Sequence, residues 1–203
     1  MRVLFLGGNP AKDIADWLEE QGEVVVYTED KLIIDEARHI KPDMIVSYNY
    51  KYIIPKVIID CVKGKTVNLH ISYLPFNRGA HPNIWSFIED TPKGVTIHYI
   101  DEGIDTGAII VQKEVFIDEE KETIASSYEI LHKEIQSLFK ENWNKIKNGE
   151  IALKKQTGEG SLHYKKDSIR FEHLLKEKGW GIPIKELKLQ YGQIKAKRYE
   201  QQY

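Results

Sequence analysis

The chain has 203 residues, 41% hydrophobic and 30% charged, with a formal net charge of −2. This suffices for one sizeable core with a small appendage, and no apolar run approaches the roughly 20 residues of a membrane span. The opening Met1-Arg2-Val3 stretch is too short for a signal peptide, and a lone cysteine, Cys61, excludes an intramolecular disulfide and a Cys-based zinc cluster, so the reading is a soluble cytoplasmic protein with Cys61 as a small core residue.

The elements alternate along the chain. Val3 to Leu6 is a continuous apolar run, and Gly7-Gly8-Asn9-Pro10 turns it into a helix with Ile14, Trp17 and Leu18 on one face. Val24 to Tyr27 predicts a second buried strand, residues 31–40 a second helix, and Met44 to Tyr48 a third strand. Such alternation predicts an α/β fold with a parallel sheet covered on both faces and ligands beyond the carboxyl ends of its strands. Gly7-Gly8-Asn9 departs from the full Gly-x-Gly-x-x-Gly fingerprint and gives little support to a dinucleotide. Its loop either aims the Gly8 amide or the Asn9 side chain at a substrate phosphate or sugar, or is a tight turn that requires glycine.

A polar, aromatic loop, Tyr48 to Pro55, follows the third strand, and residues 66–70 predict a fourth. In a strand Asn68 and His70 share a face. The loop from Pro75 to Asn83 carries Asn77, Arg78, His81 and Asn83, and Ile84, Trp85 and Ile88 predict a short helix. Val95 to Ile100 alternates as a strand leading into Gly103-Ile104-Asp105-Thr106-Gly107, with Ala108 to Ile117 pairing back as the next strand. His98 on that strand reads as a packing or hydrogen-bonding group. From Thr123 to Asn148 the apolar residues recur at helical spacing, a long amphipathic helix. Gln156 to Lys165 predicts a loop and short strand. The rest, through Trp180, Ile182, Ile184 and Leu187, is too short for its own core and packs on the main domain or on a second subunit, where Trp180 and Tyr191 would suit an interface.

A lone strand histidine is more often structural than catalytic, and an Asp near glycines is more often a turn former. Together, with the polar loop between them, Asn68, His70 and Asp105 make a functional cluster the better reading. An amide, an imidazole and a carboxylate are the parts acyl transfer needs: one polarises a carbonyl and the others manage protons. Residues 151–203 hold 12 Lys and Arg against 6 Asp and Glu, a net +6, so residues 1–150 carry −8. The basic residues are interspersed with acidic and apolar ones, so they read as a solvated surface and imply no nucleic-acid partner.

The order Asn68-x-His70, Leu74-Pro75, then Asp105 in a glycine-rich turn resembles the folate-dependent formyltransferases. The stretch from Phe76 to Ser86 is similar to their small nucleotide-sugar N-formyltransferases. The resemblance implies a Rossmann-like, open, mostly parallel sheet with flanking helices, a catalytic domain over residues 1–150, and a short C-terminal extension over 151–203. It implies 10-formyltetrahydrofolate as co-substrate with no metal, and a nucleotide-linked amino sugar as acceptor, dTDP-4-amino-4,6-dideoxyglucose, in O-antigen or polysaccharide biosynthesis. On that resemblance Asn68, His70 and Asp105 are catalytic. Tyr50, Lys51, Tyr52, Ile53 and Asp101, with Asp105, hold the folate, while Gly8, Asn9, Asn77, Arg78, His81 and Asn83 face the acceptor. Arg78 holds the sugar or diphosphate, or is structural. A glycinamide ribonucleotide formyltransferase and a non-catalytic binding module are the alternatives. The 53 residues after Glu150 leave little room for the tRNA-binding domain of a methionyl-tRNA formyltransferase. A homodimer, with the C-terminal segment at its interface, completes the expectation.

Overall fold

The computed structural model describes residues 1–200, with side chains through residue 196. The first apolar run forms β1 (Arg2–Gly7), with Val3 and Phe5 buried in one core cluster and Leu4 and Leu6 in another on the opposite face. That is the period-two pattern of a strand covered on both sides. A turn leads into α1 (Lys12–Glu20), which buries Ile14, Ala15 and Leu18. Gly7 is required there, because a Cβ would collide with the Ala11 side chain and the Tyr48 carbonyl. β2 (Val24–Thr28) pairs parallel to β1, α2 (Ile34–Ile40) returns the chain, and β3 (Met44–Tyr48) pairs on the other side of β1. After the short α3 (Lys56–Ile59), β4 (Thr66–His70) pairs parallel to β3.

The chain then leaves the sheet through β5 (Arg78–Gly79) and α4 (Pro82–Ile88), and re-enters it antiparallel as β6 (Gly94–Tyr99) and β7 (Ile109–Glu114). The sheet order is β2-β1-β3-β4-β6-β7. It is parallel from β2 to β4; β6 runs antiparallel to β4, and β7 antiparallel to β6 because the turn joining those two is too short for a parallel crossover. α5 (Ile124–Asn148) covers one face with Leu131, Ile135, Phe139 and Trp143, while α2, α3 and the Ile54 segment cover the other. Thr123 caps α5 by accepting from the Ser126 N–H.

After α5 come β8 (Leu162–His163), a 3-10 stretch (Lys165–Arg170), α6 (Glu172–Lys178) and α7 (Ile184–Glu200). β8 pairs parallel to β5, and His163 stacks on Trp85 of α4 with ring centroids 4.0 Å apart. Phe171, Leu174, Ile182, Ile184 and Leu187 join the same core cluster as the sheet. The N–H groups of Ile124 and Ala125 donate to the Ile182 and Trp180 carbonyls, at 3.1 and 2.8 Å, so this segment satisfies the start of α5.

Two local expectations are corrected. β2 is an edge strand with Val24 58% exposed, not a buried one, since β1 is paired on its other side by β3. Cys61 is exposed. It lies on the outer side of a single 3-10 turn whose inward positions are taken by Ile59 and Val62.

Candidate active site

Along β4, Val67 and Leu69 enter the core beneath α5, so Asn68 and His70 emerge on the opposite face. The antiparallel register sets His98 of β6 directly across from Asn68. Asp105 arrives from the β6–β7 turn with a positive φ of 52°, a conformation that Asp tolerates better than most residues. Two devices shape that turn. Asp101 Oδ1 accepts from the Gly103 N–H (3.0 Å) and the Thr106 hydroxyl (2.6 Å), and Gly107 approaches the Tyr99 carbonyl so closely that a Cβ would collide with it.

The three expected groups, with His98, form one cluster. Asp105 Oδ2 accepts from the Gly79 N–H at 2.8 Å and Oδ1 from the Asn68 amide at 3.3 Å. His70 Nδ1 stands 3.7 Å from Oδ2, and His98 Nε2 is 3.5 Å from Oδ1. The carbonyl partners settle the tautomers, since a carbonyl only accepts. His98 Nδ1–H donates to the Tyr99 carbonyl (2.7 Å), which leaves Nε2 to accept from Asn68 Nδ2 at 3.2 Å. His70 Nε2–H donates to the Asn77 carbonyl (3.1 Å), which leaves Nδ1 as its basic nitrogen, turned toward Asp105.

Burial holds the His70 pKa below its ordinary value, outweighing the raising influence of the Asp105 charge. The resting ring is therefore neutral at pH 7, with a lone pair on Nδ1. Burial also pushes Asp105 up, but the charge of the His70 ring once it is protonated, contact with His98 and the Gly79 N–H outweigh it and keep the carboxyl well below the usual carboxylate range. A neutral base beside a fixed carboxylate can take up a proton and then be stabilised as an imidazolium.

Asn68, His70 and Asp105 form part of the wall of a cavity of about 800 Å³ over the carboxyl ends of β3 and β4, where an open α/β sheet binds its ligands. Of the expected folate residues, Tyr50, Lys51 and Asp105 line it. Tyr52, Ile53 and Asp101 do not, with Ile53 82% exposed and Asp101 taken up by the turn. Of the expected acceptor residues only His81 lines it. Asn77 is fully buried, its amide donating to Thr91 at 2.7 Å and accepting from Ser161 at 3.2 Å. Asn83 is likewise buried, donating to the Ile124 carbonyl and the Ser127 hydroxyl at 3.2 and 3.1 Å, and both are corrected from ligand contacts to internal ties. Arg78 bonds Gln156, and Gly8 and Asn9 bond the Asn49 backbone and side chain, at 3.3 and 2.7 Å.

The remaining wall was missed. Tyr128, Glu129 and His132 come from the start of α5, and Lys165 and Trp180 from the C-terminal segment. Tyr128 falls on the apolar stripe that periodicity assigns to core, and Glu129 and His132 carry no apolar signal of their own. Trp180 and Lys165 reach the cavity only because their segment folds back over α5. Among the described residues no group of three or more His, Cys, Asp or Glu is placed to hold a metal ion, and no helix is long and apolar enough to cross a membrane.

The formyl transferase family model matches residues 14–141. The crystal structure of the formyltransferase PseJ from Anoxybacillus kamchatkensis, in complex with UDP-4,6-dideoxy-4-formamido-L-AltNAc and tetrahydrofolate, has a TM-score of 0.85 and 45% identity. That match covers 92% of this chain and 97% of that one. A dTDP-4-amino-4,6-dideoxyglucose formyltransferase of Mycobacterium tuberculosis is 36% identical over 138 residues, 68% of this chain and 58% of its own length. A methionyl-tRNA formyltransferase of Clostridioides difficile is 40% identical over 119 residues, 56% of this chain and 37% of its own length. The matched part of the chain thus spans less than two thirds of the length of these curated relatives.

Proposed function

The chain belongs to the formyl transferase family, and from that membership we propose that it moves a formyl group from 10-formyltetrahydrofolate to the amine of a nucleotide-linked amino sugar. The observation that carries this reading is the convergence of Asn68, His70 and Asp105 on one wall of a cavity of about 800 Å³, within the size range of small-molecule sites. The co-substrate supplies an activated formyl carbon bound to nitrogen. His70 Nδ1 accepts the proton that the acceptor amine loses as its nitrogen bonds that carbon. Asp105 holds the resulting imidazolium, and the proton then passes to the departing folate nitrogen as the carbon–nitrogen bond to it breaks. Asn68 Nδ2 is the donor for the formyl oxygen as negative charge develops. Its bonds to His98 and Asp105, at 3.2 and 3.3 Å, are long enough for a new oxyanion to compete with them.

The folate enters along Tyr50 and Lys51 toward Asp105, and the acceptor occupies the side formed by His81, Lys165 and Trp180. The acceptor is a 4-amino-4,6-dideoxyhexose, a class common to the PseJ ligand and the dTDP-sugar relative. A UDP-linked 2-acetamido sugar is the favoured member over dTDP-4-amino-4,6-dideoxyglucose, because the PseJ match covers 92% of this chain against 68% for the dTDP-sugar relative. Incubation with 10-formyltetrahydrofolate and each amine, read by mass spectrometry, tests this. Formyl addition to the UDP-linked amine is the expected outcome, and formyl addition to neither amine sinks the reading.

A further inference from the structure

Gln156 lies outside every helix and strand, 51 residues beyond Asp105, and its carboxamide joins Arg78 to the Asp105 turn. Arg78 donates to it through Nε at 3.1 Å and Nη2 at 2.7 Å. A guanidinium carries donors only, so the atom it meets is Oε1, and this fixes which end of the amide is nitrogen. Nε2 then donates both hydrogens into the turn, to the carbonyls of Asp105 and Gly107, each at 2.8 Å. Every hydrogen-bonding position of the side chain is filled.

The segment bearing it is held on both sides. Lys154 exchanges backbone bonds with Ile109 of β7 (2.8 and 2.9 Å), and the Ser161 and His163 carbonyls accept from Arg78 and Ala80 (2.9 and 2.8 Å). Asp105 sits at a φ of 52°, a left-handed conformation that the bonds around the turn hold in place. We propose that Gln156 is a positioning residue for Asp105, and that Arg78 acts through it by fixing the orientation of its amide. The Asp105 carboxylate is thereby kept opposite His70 Nδ1. Of the two readings the sequence left open for Arg78, acceptor contact or a structural role, this assignment takes the structural one. The kinetic meaning of this assignment rests on the proposed formyl transfer, whereas its geometric content does not.

Gln156→Met keeps the length of the side chain, adds no charge and removes both donors. In the folded variant the NMR titration midpoint of His70 should fall, because a loosened Asp105 supports the imidazolium less. Turnover should drop by up to roughly 100-fold, the cost that a misplacement of about 1 Å can reach, with the Michaelis constants for folate and acceptor changed less than twofold. Arg78→Met should give a smaller drop. The double variant should be no slower than Gln156→Met alone, since Arg78 is assigned no other route to the site. A folded Gln156→Met protein with wild-type His70 titration and turnover overturns the proposal, as does a double variant showing the full sum of the single effects. If Gln156→Met does not fold, Arg78→Met carries the same two readouts. If the wild-type protein transfers no formyl group, the titration still reads the clamp, so the two failures are told apart.

Discussion

Replacing Asn68, His70 or Asp105 by Ala removes, in turn, the proposed oxyanion donor, the proposed base and the carboxylate proposed to support it. Each variant should stay folded and lose roughly 100- to 1000-fold in turnover, the range seen when a single oxyanion-hole donor is removed. Near wild-type turnover in all three would end the mechanism. His70 carries a sharper expectation. Burial lowers its pKa and the Asp105 charge raises it, so its NMR midpoint should lie below 6.5 in the native protein and lower still in Asp105→Asn. A midpoint that rises in that variant would mean that the carboxylate is not what sustains the imidazolium. Asn68 and His70 were legible because strand alternation alone sets them on one face. The roles of Asn77, Arg78 and Asn83 were not, because their partners, Thr91 and Ser161 for Asn77, Gln156 for Arg78, and Ile124 and Ser127 for Asn83, lie between 14 and 84 residues away. A polar loop residue reads the same whether it faces a ligand or the protein interior.

Among the elements, α5 combines two duties that periodicity cannot separate. Its lower turns bury Phe139 and Trp143, while its first turns present Tyr128, Glu129 and His132 to the cavity. His132 is 6% exposed, and its Nδ1 is paired with the Tyr48 hydroxyl. Burial lowers its pKa from 6.5 to about 4. The unfolded chain therefore binds the extra proton first as pH falls. The stability owed to the neutral ring is fully present above pH 6.5 and is lost as pH drops toward about 4. At about 1.4 kcal/mol per pKa unit the loss is on the order of 3 kcal/mol. Melting temperature measured across that window should fall, and His132→Asn should flatten the fall. An identical pH profile in the variant would show that His132 does not titrate on unfolding. The strands and helices around α5 were legible from apolar runs and turn residues. The antiparallel pairing of β7 on β6 was legible in the shortness of their hairpin, whereas that of β6 on β4 was not, and the exposed position of β2 depended on a strand order that periodicity does not carry.

For the whole molecule the residues after 150 matter most, since the sequence left open whether their apolar side chains meet the same chain or a partner. The structure places Ile182, Ile184 and Leu187 in the main core, at 1%, 0% and 0% exposure. These three side chains therefore offer nothing to a second subunit. Lys188 of α7 also pairs with Glu119 at 2.8 Å, and the Trp180 and Ile182 carbonyls receive the first amides of α5. Truncation after Lys178 removes all of this at once. Burial of three such side chains is worth about 1.5–3 kcal/mol each, and further loss follows from exposing the core surface they cover. The sum approaches the roughly 5–15 kcal/mol that holds a domain folded. The truncated chain should show no cooperative thermal transition, or one lowered by about 10 °C or more, and should lose activity with it, because the cavity loses Trp180 and α5 loses its N-terminal partners. Calorimetry and the formyl-transfer assay on the truncated protein check this. An unchanged transition would mean that the core closes without α7, and retained activity would place the acceptor away from the Trp180 side of the cavity.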